Sequence, residues 1–283
     1  MSPVHDQSYA RYQGTRRPTG HAWAVIFKTG TRQLLGRRVL VALLLLAWTP
    51  FLVRCVQIYF AITTPQVTRI LPVDVAMFQR FIDNGFQGVL SFLITIYVGA
   101  GLIANDRRAR ALQVYLSKPL GRMEYIAGKL AILLYFLGFA VILPALLLIV
   151  MQVILSGSLS FVRAHPSIVP AVVLASAIRV IVPAFAMLAL SALSTSTRYV
   201  AVMYAGILFF SEAMYGVLSF VTGSTGVAWV SLGANFDVVS DAIFGQPPRY
   251  ETPVIVSVLV LAAIVVVALS VLDRQVRGVE VVS

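Results

Sequence analysis

The chain has 283 residues, of which 59% are hydrophobic and 12% charged, with a formal net charge of +11. An ordinary soluble domain carries roughly a quarter charged residues, so this composition excludes one. It also excludes a self-contained enzyme domain, because the apolar stretches leave no room for it.

Crossing a hydrocarbon core of roughly 30 Å as a helix takes about 20 apolar residues, with every backbone polar group paired inside the segment. Six stretches satisfy this: Val39–Ala61, Phe86–Ala104, Leu130–Leu155, Ile168–Leu190, Val200–Val221 and Val254–Leu272. The sequence therefore predicts an all-α polytopic membrane protein. Residues 1–20 form a flexible tail, 21–38 an amphipathic N-terminal interfacial helix, 39–272 a six-span domain and 273–283 a second tail. The first apolar run follows 38 mostly polar residues, far longer than the start of a cleavable signal, so the first span is expected to persist. Cys55 is the single cysteine and has no partner for an internal disulfide.

The distribution of basic residues orients the spans. Sixteen of the 22 Lys and Arg fall on the side shared by the two termini, four fall opposite (Arg69, Arg80, Arg163, Arg249) and two, Arg54 and Arg179, lie inside spans. The positive-inside rule then assigns both termini to the cytoplasm, with insertion in the cell inner (plasma) membrane. The positive charge sets topology and meets the lipid bilayer, and it does not mark a nucleic-acid partner.

In residues 21–38, Trp23, Ile26, Phe27 and Leu34 share one helical face, opposite Lys28, Arg32, Arg37 and Arg38. This suits a helix lying among headgroups; a cytoplasmic extension of the first span is the alternative. The second span carries Gly88, Gly99 and Gly101, small residues that permit close helix contact. Pro50, Pro144 and Pro183 interrupt the first, third and fourth spans.

Residues 105–129 break the apolar pattern. Asn105 or Asp106 is placed to cap a helix. Ala109, Leu112, Gln113 and Leu116 follow at helical spacing, with Arg107, Arg108 and Arg110 around them, and Lys118-Pro119 ends the helix. By residue pattern alone this is either a functional cytoplasmic helix on two stalks or a basic loop that only satisfies topology.

Arg179 lies near mid-depth of the fourth span, and Glu212 at a similar depth of the fifth, as counted at 1.5 Å per residue. Buried charge asks for a partner or an aqueous path, so an Arg179–Glu212 pair is expected, with Arg54 as a rival partner. It would serve as a staple between helices or as part of a pathway. In the outer loop, 222–253, Leu232, Phe236, Val239 and Ile243 predict a short outer helix before the last span. Asn235 is its candidate cap and Gly245-Gln246-Pro247-Pro248 its stop. By residue pattern that helix rests on the surface at the headgroups.

The order of residues in 105–129 resembles the loop between the second and third spans of ATP-binding cassette (ABC) type-2 transporter permeases. Asp106 follows the span, Leu116-Ser117-Lys118-Pro119-Leu120-Gly121-Arg122 follows an amphipathic segment, and Glu124-Tyr125 and Gly128-Lys129 lead into the next span. The family pattern often has Gly-Thr where this chain has Arg110-Ala111.

The resemblance implies the permease subunit of an exporter, working as a homo- or heterodimer with a separate ABC ATPase subunit. It makes residues 105–129 a coupling loop whose helix docks on that ATPase through Asp106, Arg107, Arg110, Leu112, Tyr115, Leu116, Lys118, Pro119 and Arg122. ATP and Mg would bind the partner. The resemblance further implies that the outer helix before the last span helps close the outer side. This chain has no phosphate loop, no HExxH and no CxxC, so catalytic residues, bound cofactors and metal ligands are not expected on it. A secondary carrier and a non-transport scaffold are the other classes compatible with six spans.

Overall fold

The structure is a computed structural model that describes residues 22–64, 72–110 and 121–276. Every regular element among the described residues is helical. Six segments are long and apolar enough to cross a membrane: Arg38–Thr63, Val75–Arg108, Arg122–Ser156, Ile168–Leu193, Thr197–Thr222 and Val254–Gln275. The core forms around the second, third and fourth spans, where Ile94, Leu133, Phe136, Ala184, Met187 and Leu188 are fully buried. The fifth span buries only Val200 and Tyr204.

The N-terminal helix, Ala22–Leu35, is separated from the first span at Gly36–Arg37. It turns Ile26, Phe27 and Leu34 toward the core and leaves Lys28 and Arg32 exposed, as its two faces predict. Phe27 meets Tyr135 of the third span edge to face at 5.6 Å. Gly128 makes this approach possible: a Cβ there would lie 3.0 Å from the Trp23 carbonyl oxygen and 2.9 Å from Ile26 Cβ.

Three spans are broken, and each break has a physical cause and a repair. In the first, helix Arg38–Ala47 gives way at Trp48 to helix Thr49–Thr63. Pro50 has no N–H for the Leu46 carbonyl, and the Thr49 hydroxyl donates to that oxygen instead at 2.7 Å. In the third, a π-helical turn at Gly138–Ile142 precedes Pro144. Pro144 cannot donate to the Ala140 carbonyl, and Gln87 Nε2 of the second span does so at 2.7 Å.

The second span is helical over Val75–Ile82, Gly85–Gly99 and Ala104–Arg108, with breaks between. The sequence assigned Asp74 and Asp83 to an outer loop. Asp74 is instead an N-cap, its carboxylate accepting from Met77 N at 2.8 Å, and Asp83 is buried at a break within the span. At the second break, Ser191 of the fourth span donates to the Ala100 carbonyl at 3.0 Å. It accepts from the backbone N–H groups of Ile103 and Ala104 at 3.0 and 3.1 Å.

Ser191 is fully buried and serves three backbone groups at once. Ser191→Ala should therefore cost about 1–3 kcal/mol, the penalty of stranding buried polar groups. Thermal unfolding of the purified chain in neutral detergent measures it; a loss of a few tenths of a kcal/mol would show that the turn finds other partners.

Candidate functional site

The chain gathers its interior charge at two places, one at each end of the bundle. On the side of the termini, Asp106 sits in the last turn of the second span. Its carboxylate accepts from the Tyr125 hydroxyl at 2.7 Å and pairs with Lys129 Nζ at 2.6 Å, both on the third span. Lys129 also lies over the Tyr125 ring, 5.5 Å from its centroid. Asp106 and Lys129 are mostly buried, with side chains 18% and 14% exposed.

The expected capping role of Asn105 and Asp106 is not what the structure shows. Both lie inside helix Ala104–Arg108, and Asn105 Oδ1 accepts from the Thr197 hydroxyl at 3.0 Å, reaching the fifth span. Around this clamp, Arg107 donates to Gln275 at 3.3 Å, and Arg122 pairs with Asp273 of the sixth span. The ends of the second and third spans are thus bound to each other and to the sixth.

Arg110 has a φ of 54°, the left-handed region, which costs a residue with a side chain roughly 1–2 kcal/mol relative to glycine. Leu112, Tyr115, Leu116, Lys118 and Pro119 lie outside the described residues.

On the opposite side, Arg179 does not pair with Glu212. Its NH2 group donates to Asp83 and to Asp237, each at 2.7 Å. Arg249 joins the same two carboxylates, 2.5 Å from Asp83 and 3.6 Å from Asp237, and adds Asp241 at 2.9 Å, to which Gln79 Nε2 also donates at 2.6 Å. The result is a knot of two guanidiniums and three carboxylates. The break in the second span brings Asp83 into it, and the outer helix, Leu232–Phe244, brings Asp237 and Asp241.

The outer helix is not a surface element: Ala234, Asn235, Val238, Val239, Ser240 and Asp241 are all buried. Its cap is Ser231, whose hydroxyl accepts from Ala234 N at 2.8 Å. Asn235, the sequence candidate, instead donates to the Trp229 and Ser231 carbonyls. Gly245 ends the helix at φ 63°.

Glu212 holds the start of this helix, accepting at Oε1 from the Ser231 hydroxyl at 2.8 Å and from Gly233 N at 2.9 Å. Arg54, the rival partner, pairs with neither Arg179 nor Glu212 and donates to Gln57 at 2.5 Å. Sequence reasoning missed Asp83, Asp237, Asp241 and Gln79. The signal for Asp83 was present in Met77, Phe78, Phe81 and Ile82, whose spacing marks an amphipathic helix ending at that aspartate.

Burial pushes the Asp237 carboxyl above its ordinary value of 3.8, and the nearby charges of Arg179 and Arg249 only partly offset this. With two guanidiniums and three carboxylates, Asp237 is the acid in excess. Burial works to lower Arg249, but hydrogen bonding to Asp241 and the charges of Asp237 and Asp83 hold it well above the usual arginine value.

The fold and its two charge assemblies define a polytopic helical membrane protein. In comparisons with known proteins, no family model and no curated protein matches the chain.

Because the Asp237 carboxyl is raised in the folded state, the unfolded chain ionises first as pH rises from 3.8. The folded state binds more protons in that window, so the Asp237 contribution to stability is largest at acid pH and is lost as pH rises through the folded value. Asp237→Asn should flatten this limb and leave the protein at least as stable as the parent at neutral pH. Melting temperatures from pH 4 to 7 test it; a neutral-pH loss larger than the acid-pH loss would mean that the ion pairs outweigh burial.

Proposed function

We propose that the chain is the membrane-spanning permease subunit of an ATP-driven ABC exporter, acting with a second permease subunit and a separate ATPase. The observation that carries this reading is the clamp of Asp106, Tyr125 and Lys129. These are three residues through which the sequence resembles ABC type-2 permeases, and they meet at the base of the basic loop. A loop anchored this way on two spans moves as one body with them, which is the property a coupling element needs.

The backbone at Arg110 supports the same reading. Its φ of 54° is a conformation that glycine adopts at no steric cost, and the family pattern often has glycine at that place. Gly128-Lys129, the last part of the motif, also has a physical reason for each residue. Gly128 admits the N-terminal helix and Lys129 closes on Asp106.

In this mechanism the ATPases bind ATP and Mg, and their closure displaces the loop from Asp106 to Arg122. The second and third spans follow as rigid stalks. Both termini and the loop face the cytoplasm, where most Lys and Arg lie.

A specific observation favours a second reading. The broken second span and the buried Asp237 are features of proton-coupled secondary carriers, which place such groups where helices are interrupted. Transport driven by a pH gradient in vesicles without ATP would establish it.

The permease reading expects a phosphate-loop ATPase in an adjacent coding region, and co-expression with that ATPase distinguishes the two. The tagged chain should retain that ATPase through detergent purification, and Arg107→Glu with Arg110→Glu should reduce retention at least about tenfold, as expected for losing charge-assisted contacts. No association, or association indifferent to both substitutions, would sink the coupling proposal.

A further inference from the structure

A cavity of about 480 Å³ lies between the second, fourth and fifth spans and the outer helix. Sites for small organic ligands have volumes of about 300–1,000 Å³ and are mostly apolar, with a few placed polar groups. Here the apolar wall includes Val89, Phe92, Leu208, Phe209 and Phe236. The polar groups that matter are Gln87, Arg179 and Glu212.

Gln87 is only 2% exposed. Its amide nitrogen is committed to the Ala140 carbonyl, and its oxygen is buried without a hydrogen-bond partner. Glu212 stands exposed at the rim, within a span. One of its oxygens holds the outer helix, and the other has no hydrogen bond or ion pair among the described residues. The Gln87 oxygen is sealed within the wall, so the cavity presents one open acceptor, the second oxygen of the Glu212 carboxylate.

The charge balance points the same way. Arg179 commits its Nη2 to Asp83 and Asp237, and its Nε is sealed from the cavity without a partner; the knot behind it holds three carboxylates against two guanidiniums. An anion would meet net negative charge, and a purely apolar molecule would strand the Glu212 carboxylate. A cation with N–H donors satisfies both conditions, and Phe92 and Phe209 add cation–π attraction, the Phe236 ring being already taken by Arg179.

The space itself is built by glycine. Gly85 and Gly88 line the cavity, and a Cβ at either would meet nothing within 4 Å. Gly99 of the same span shows the opposite arrangement, since a Cβ there would overlap Met187.

We propose that this cavity binds a cationic amphiphile: a protonated amine on an apolar body, with the ammonium at Glu212 and the body against Phe92, Phe209 and Phe236. The proposal stands on the cavity alone and needs no ATPase, so its failure leaves the coupling proposal untouched.

The test uses the full chain in phosphatidylcholine nanodiscs, with tritiated dodecylamine as probe and empty discs as the blank. Saturable binding above the blank is expected, displaced by unlabelled dodecylamine but not by equal concentrations of dodecanol or dodecanoate. Glu212→Gln should weaken binding by about tenfold, the loss of one charge-assisted contact. Gly88→Leu projects a side chain into the open space, where its Cβ meets nothing within 4 Å, and should abolish binding while the protein stays folded; it carries the test alone should Glu212→Gln fail to fold. Absence of saturable binding would overturn the proposal. So would displacement by dodecanoate as effective as by dodecylamine, or unchanged binding in either folded variant.

Discussion

The constraint on which this structure depends is that a backbone polar group in hydrocarbon must find a partner within the protein. An unbroken helix meets it automatically, and the fourth, fifth and sixth spans are unbroken; the first three are not. Each interruption leaves a carbonyl or N–H without its normal partner, and at Pro50, Pro144 and the turn after Gly99 a polar side chain supplies the missing bond. Two of the three repairs come from a neighbouring span. Gln87 binds the second span to the third, and Ser191 binds the fourth to the second. Polar repair is therefore also a specific element of helix packing, in a core whose other contacts are largely apolar.

The same breaks admit charge to the interior. Arg179 would be prohibitively costly in an unbroken bundle. It is tolerated because the second span stops at Asp83 and the outer helix folds inward with Asp237. A buried ion pair yields little net stability, since desolvation offsets most of its attraction, but breaking one is expensive. The knot thus fixes which elements meet rather than how tightly the bundle holds. The fourth span carries Arg179 toward one end and Ser191 toward the other, so a displacement of the second span at either end is felt at both.

Legibility in the sequence followed the range of the interactions. The six spans and the outer helix were readable because they rest on local periodicity; the first, fourth, fifth and sixth spans lie within three residues of their expected bounds, whereas the second begins earlier, at Val75 rather than Phe86, and the third at Arg122 rather than Leu130. Partners were not readable, because they join residues far apart in the chain. Asp106 is suited to a cap by local rules, yet its partner Tyr125 lies 19 residues on. The Arg179–Glu212 pairing came from counting depth along ideal helices. That count has no means of knowing that a helix outside the six spans returns to mid-depth. Asp83 fell in the outer loop because the apolar run of the second span was counted from Phe86; it lies instead at a break inside that span.

Glycine shows how far composition can mislead and what resolves it. In a membrane helix a small residue ordinarily means close contact with a neighbour, and Gly99 and Gly128 conform, each occupied to the limit by an adjacent chain. Gly88, grouped with Gly99 by the same reasoning, faces open space. A glycine that admits no neighbour lowers helix propensity by about 1 kcal/mol relative to alanine and gains no packing in return. Beside it lie a buried amide oxygen without a partner and a carboxylate with an unused oxygen. Three features that are each unfavourable alone meet at one cavity, where an occupant supplying positive charge and N–H donors would answer the open Glu212 oxygen and give the glycines a purpose. Under the proposed permease reading, the loop on the side of the termini bears on how the protein is driven and the cavity on what it moves.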